Sequence, residues 1–511
     1  MNRRGSPPDG PRASCPNSMR DYVLSVDQGT SSTRCMIVDR EGNCLIQVQK
    51  EHAQYFPRPG WVEHDPEEIL LCVEEVVRSA LKDSGIRTSQ IVALGITNQR
   101  ETSVLWDKNS GKPLCRAVVW QDTRTDSLIK AMEGRGFAPL IQSKTGLPLS
   151  TYFSGPKIRW MIDHIEGVRE KALRGEILFG TIDTWLIWHL TGGVHVTDPT
   201  NASRTMLMDL AKLQWDSDLL EILEVPRSIL PEIRSSSEIY GVCRGVLQGV
   251  PVCGDLGDQQ ASLFGQACFD FGDVKNTYGT GCFALMNTGP LIHRSSHGMI
   301  STVAYQLKGA PPSYAIEGSV AVAGALVKWL RDNLEIIDSA SEIESLARKV
   351  EDNGGVYIVP AFSGLYAPYW RSDARGVIVG LTGYATKAHL ARAALEAAAH
   401  QSREVLDAMA TDVDTPLRSL RVDGGMVAND LLNQIQSDIL GLRVIRSRST
   451  ETTALGAAFC AGLAVGYWND LLEIQRLRSD GDAFDPMISA SEREARHAGW
   501  LKAVSRSLGW L

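Results

Sequence analysis

The sequence predicts an α/β protein of two domains, and three observations predict it. Strand-like and helix-like segments alternate along the chain, the pattern of sheets covered by helices. At 511 residues the chain is too long for a single core, so two or more domains are expected. A turn rich in glycine and hydroxyls, flanked by short apolar runs, occurs once in each half: Asp27-Gln28-Gly29-Thr30-Ser31-Ser32-Thr33-Arg34 and Asn276-Thr277-Tyr278-Gly279-Thr280-Gly281-Cys282. The boundary is expected near residues 265–275, between a helix-like segment at 259–266 and the second turn, giving domains over 21–267 and 268–511.

Residues 1–20 carry Pro, Gly, Ser, Asn and four arginines with almost no apolar content, which predicts a disordered extension. It lacks the apolar stretch of a secretory signal. The arginines leave an organelle presequence open, although no amphipathic pattern supports one. The runs at 22–26 and 35–38 then read as a β-hairpin around the first turn. Gly29 permits close approach of the backbone to a ligand, and the hydroxyls of the turn with Arg34 surround it with donors. That set suits a polyphosphate, and Asp27 at the strand end suits the metal ion that accompanies one. Two ordinary hairpin turns are the alternative, which is weaker for the pair than for either alone.

Asp65-Pro66-Glu67-Glu68 is a strong helix start, with an Asp N-cap, Pro in the first turn and acids favoured by the helix dipole. Apolar residues follow with helical spacing to Gly85. Residues 90–97 read as a buried strand delivering Asn98-Gln99-Arg100-Glu101. In the second half a long helix is expected over 387–409, then a strand at 419–423, the turn Gly424-Gly425, and a helix over 429–440 stopped by Gly441.

Composition excludes several classes. A net charge of −8 argues against a nucleic-acid binder, and no apolar run approaches the ~20 residues that span a bilayer. Ten cysteines without a Cys-x-x-Cys pair read as reduced thiols, so neither disulfides nor zinc are indicated and a cytoplasmic protein is expected. The Walker A sequence, the protein-kinase catalytic loop, the Gly-x-Ser-x-Gly elbow and the His-Glu-x-x-His pair are all missing.

Arg100 and Glu101 stand at a strand end, where α/β folds open toward ligands. Side by side they can donate to and accept from the hydroxyls of a polyol, or form a solvated loop pair. Trp120 reads equally as core or as a pocket wall, and Tyr152 as a core cap or a hydroxyl directed into a cleft. Asp258, in Gly257-Asp258-Gln259-Gln260, lies at a strand-to-helix junction. A helix N-cap is one reading. The other is the carboxylate that takes a substrate hydroxyl's proton in phosphoryl transfer.

Taken together, these motifs resemble those of the glycerol kinases, carbohydrate kinases on the actin/hexokinase-like ATPase fold. The likeness starts near Tyr22 and includes Asp27-Gln28-Gly29-Thr30, Pro59-Gly60-Trp61-Val62-Glu63-His64-Asp65-Pro66, Asn98-Gln99-Arg100-Glu101, Asp198-Pro199-Thr200-Asn201-Ala202-Ser203-Arg204-Thr205, Gly257-Asp258-Gln259-Gln260 and Arg421-Val422-Asp423-Gly424-Gly425. The resemblance implies two actin/hexokinase-like (ribonuclease H-like) domains flanking a nucleotide cleft, and transfer from ATP to glycerol with Mg2+. It implies that Arg100, Glu101, Tyr152, Asp258 and Gln259 hold glycerol, with Trp120 and Phe283 walling its carbons and Asp258 as the base. Thr30, Ser31, Ser32, Arg34 and Thr280 would meet the phosphates, and Gly324, Gly425 and Asn429 the nucleoside side. Asp27 and Asp258 would position magnesium, and a homo-oligomer, dimer or tetramer, is expected. Lys328, Arg371 and Pro156 depart from the family pattern without removing a catalytic group. The rival readings are a kinase of another small sugar or polyol and an actin-like scaffold that binds nucleotide without transfer.

Overall fold

The computed structural model describes residues 22–478 and 480–511; the extension expected to be disordered, residues 1–20, lies outside the described residues. Strands β1 (Tyr22–Gln28) and β2 (Ser32–Val38) form the first hairpin, with Asp27 opposite Arg34. β3 (Cys44–Glu51) adds antiparallel to β2. Helix α1 (Pro66–Ser84) begins where the side chain of Asp65 accepts the N–H groups of Glu67 and Glu68, and ends at left-handed Gly85. Its buried stripe of Ile69, Cys72, Val73, Val76, Val77 and Ala80 sets the face that packs on the sheet.

β4 (Ile91–Asn98), β5 (Ser237–Val242) and β6 (Pro251–Gly257) complete a sheet of order β5-β6-β4-β1-β2-β3, and α2 (Asp258–Gly265) leaves its edge. β1, β4 and β6 run parallel, with Gln28 paired to Asn98 and Asn98 to Gly257. Three carboxyl ends therefore finish at one level, where open α/β sheets bind ligands.

The second sheet contains β7 (Val274–Tyr278), β8 (Cys282–Gly289), β9 (Ile300–Tyr305) and β10 (Ser313–Val320). After α3 (Gly324–Asp332) and α4 (Lys387–Val413) come β11 (Ser419–Asp423), α5 (Asp430–Leu440), β12 (Arg443–Ser447), α6 (Thr452–Ala464) and β13 (Asp480–Phe484). Its order is β9-β10-β8-β7-β11-β12-β13. Within it, β10-β8-β7-β11-β12 repeats the arrangement of β3-β2-β1-β4-β6: three antiparallel strands, then two parallel ones. The chain holds two copies of one topology, each opening on a hairpin whose turn is the glycine-and-hydroxyl motif.

A division at residue 267 does not account for α6. This helix lies in sequence between β12 and β13 of the second sheet but packs on α2, β4, β6 and β1 of the first. Missing side chains make the approach possible: a Cβ at Gly95 would lie 2.1 Å from the carbonyl oxygen of Ala457, and one at Gly456 would lie 1.8 Å from that of Ala261. Phe459, Cys460, Trp468 and Ile474 consequently share one buried cluster with Val23, Met36, Leu263 and Phe264.

Candidate active site

The level ends of β1, β4 and β6 bring Asp27, Arg100, Glu101 and Asp258 to one sheet edge. Gly257 holds the N-cap position of α2, so Asp258 is the first helical residue rather than the cap. Its side chain stays about a quarter exposed, with Oδ1 3.1 Å from Nε of Arg100. Asp27 is buried and faces Arg34 at 3.4 Å. Burial pushes its carboxyl up to about 7, against the field of Arg34, and the nearby carboxylates of Asp258 and Glu451 add to the rise. Such a carboxyl is short of positive charge.

Arg100 is nearly inaccessible and donates Nη1 and Nη2 to Glu317 of β10 at 2.5 and 3.1 Å, and Nη1 also to Gln260 at 3.2 Å. Arg204, fully buried, donates Nε to Glu101 at 2.6 Å and Nη2 to Glu317 at 3.2 Å. Burial alone would raise Glu317, but the two guanidinium groups outweigh it and hold the carboxyl at about 2. Glu101 goes the other way, because burial dominates over Arg204 and Arg100. The two neighbours Arg100 and Glu101 thus serve different partners. Glu101 has φ 61, a left-handed backbone uncommon for a non-glycine residue, and Ser154 and Ser103 anchor its carbonyl at 2.9 and 3.0 Å. The bonds leave Oε2 of Glu101 and one Nη2 hydrogen of Arg100 for a ligand.

Trp120 donates Nε1 to the hydroxyl of Thr30 at 3.0 Å, which ties the indole to the turn of the first hairpin. Its ring meets Tyr152 edge-on at 5.5 Å. Beneath Tyr152, buried Lys157 donates to the carbonyls of Tyr152 and Phe153, and burial pulls its ammonium down to about 7. Ser31 is exposed, Ser32 accepts from Gln49, and Arg34 is shared among Asp27, Glu451 and Gln49. Phe283 lies half-buried on β8, paired in register with Ser319.

In the second turn, the carbonyl of Thr280 accepts the N–H groups of Ala323 and Ala325, and Gly324 donates to the carbonyl of Gly279 at 3.1 Å. A Cβ on Gly324 would come within 2.5 Å of that carbonyl, so the turn rests directly on the start of α3. Beside it, Gly425 faces open space, whereas Asn429 caps α5 by accepting the N–H of Leu432. Lys328 is exposed, and Arg371 pairs with Asp373 at the surface at 2.6 Å.

Sequence reasoning missed Glu317, Lys275, Lys157 and Glu451. Arg204 stood inside a family motif without a role. Among the described residues no group of three or more His, Cys, Asp and Glu side chains could hold a metal. The two carboxylates Asp27 and Asp258 nevertheless fit magnesium, which keeps several waters and takes further oxygens from phosphates.

Residues 22–265 match the N-terminal domain, and residues 274–465 the C-terminal domain, of the FGGY family of carbohydrate kinases. The chain belongs to that family. Among FGGY relatives, it is 56% identical over 497 residues to a glycerol kinase of Roseiflexus sp. (strain RS-1), covering 96% of this chain and 100% of that one. It is 57% identical over 497 residues to a glycerol kinase of Methylorubrum extorquens (strain PA1), covering 96% and 99%. In structure it resembles Plasmodium falciparum glycerol kinase with ADP, with a TM-score of 0.90 at 40% identity, covering 96% of this chain and 99% of that one. No helix among the described residues is long and apolar enough to cross a membrane.

Proposed function

We propose that this FGGY kinase is a glycerol kinase, transferring the γ-phosphoryl group of ATP to glycerol to give sn-glycerol 3-phosphate and ADP. One observation carries the reading: Asp258 is held by Arg100 at the sheet edge that also carries Asp27 and the first phosphate turn. The full-length likeness to glycerol kinases supports it.

In this mechanism Glu101, Tyr152, Gln259 and the free Nη2 hydrogen of Arg100 orient the polyol, while Trp120 and Phe283 cover its carbons. Asp258 accepts the proton of the terminal hydroxyl as its oxygen bonds to the γ-phosphorus and the bond to the ADP oxygen breaks. Thr30, Ser31, Ser32, Arg34 and Thr280 receive the phosphates, with Gly324, Gly425 and Asn429 beside the nucleoside. Asp27 and Asp258 would hold magnesium, which when bound would neutralise phosphate charge. Closure of the two domains excludes water, the competing nucleophile. A cytoplasmic homo-oligomer is the setting proposed for this reaction.

Coupled measurement of ADP formation with a panel of polyols and sugars tests the proposal. Glycerol is expected to give the highest kcat/KM. A gluconate or pentulose that surpasses it, or no substrate-dependent turnover, overturns the reading.

A further inference from the structure

Lys275, fully buried on β7, reaches across to the start of α2. Its Nζ donates to Oε1 of Gln259 at 2.6 Å and to the hydroxyl of Thr277 at 2.9 Å. An ammonium group has donors and no acceptor, so the amide oxygen of Gln259 must be the end that faces it. The ambiguity that attends most glutamine side chains is removed here. The amide nitrogen of Gln259 makes no hydrogen bond among the described residues, although the residue is mostly buried.

We infer that Lys275 is a positioning residue that fixes Gln259 as an obligate hydrogen-bond donor and so sets the polarity with which the pocket reads a substrate hydroxyl. The inference rests on the reading of Gln259 as a polyol contact. A hydroxyl that accepts from Gln259 keeps its own proton for a carboxylate. At this edge the available acceptors are Asp258 and the free oxygen of Glu101. At the atom that meets Gln259, the same polarity admits an oxygen and disfavours an ammonium.

Gln259→Glu is the discriminating variant. It keeps an acceptor for Lys275 and nearly the same shape, but replaces the donor NH2 by an oxygen. The expected result is a rise in KM for glycerol of roughly tenfold or more, with little change in KM for ATP and no fall in Tm. Lys275→Met releases the amide and is expected to raise KM for glycerol as well. Combined with Gln259→Leu, it should add nothing to the effect of Gln259→Leu alone. Normal glycerol KM in Gln259→Glu, alongside a raised value in Gln259→Leu, overturns the inference while leaving the polyol contact standing. Unchanged glycerol KM in Gln259→Leu overturns both. Additive effects of Lys275→Met and Gln259→Leu assign Lys275 to domain packing instead. Should Lys275→Met fail to fold, Gln259→Glu decides alone, because it leaves Lys275 in place.

Discussion

Glu317, on β10 of the second sheet, receives both terminal nitrogens of Arg100 from the first, at 2.5 and 3.1 Å. The remaining nitrogen of the same guanidinium faces Asp258 at 3.1 Å. The proposed base is therefore aligned by a group that the other sheet holds in place. Arg204 closes the network by bridging Glu317 and Glu101.

Replacing Asp258 by Asn keeps size and much of the hydrogen bonding but removes the proton acceptor. General-base contributions run ~10²–10⁴-fold, so kcat is expected to fall at least that far with an unchanged melting profile. Near-normal turnover would remove Asp258 from the role of base.

Glu317→Ala leaves two buried guanidinium groups without their shared partner. Breaking a buried pair from one side costs about 3–5 kcal/mol. Chemical denaturation should show a loss of that order, and KM for glycerol should rise through the freed Arg100. An unchanged KM for glycerol would separate the network from substrate binding.

Gly257 has φ −59 and ψ 150, values open to any residue. A Cβ there would nevertheless lie 2.7 Å from Cδ of Arg100 and 3.0 Å from Oε1 of Gln260. Because Glu317 clamps Arg100, the side chain cannot give way cheaply. Gly257→Ala is expected to cost about 1–3 kcal/mol by overpacking and to lower kcat/KM for glycerol. Wild-type kinetics would show that Arg100 moves freely.

Glu404 of α4 is buried and accepts the hydroxyl of Tyr369. Burial raises its carboxyl from 4.5 to about 7, against the hydrogen bond from Tyr369. The folded state therefore holds this proton more tightly than the unfolded chain. The resulting stability is complete below about pH 4.5 and is lost as pH rises through 7. Glu404→Gln should remove roughly 3 kcal/mol of this pH dependence. Denaturation of both proteins at pH 5 and pH 8 measures it, and parallel losses would refute it.

Local signals in the sequence determined the hairpins, the caps of α1 at Asp65 and Gly85, the stop at Gly441 and the place of Asp258 at a strand-to-helix junction. Each depends on residues a few positions apart, where alternation, capping and turn chemistry act. The same signals exposed Arg100 and Glu101 as a pair but could not give their partners. Arg100 and Glu317 are separated by 217 positions, and Arg204 and Glu101 by 103. Only the packed structure put Lys275 against Gln259, and only it returned α6 to the first sheet through the bare backbones of Gly95 and Gly456. Buried charges find opposite charges or hydrogen-bond partners wherever the fold leaves them without water. That pairing is a property of the assembled core, and no periodicity in the chain encodes it.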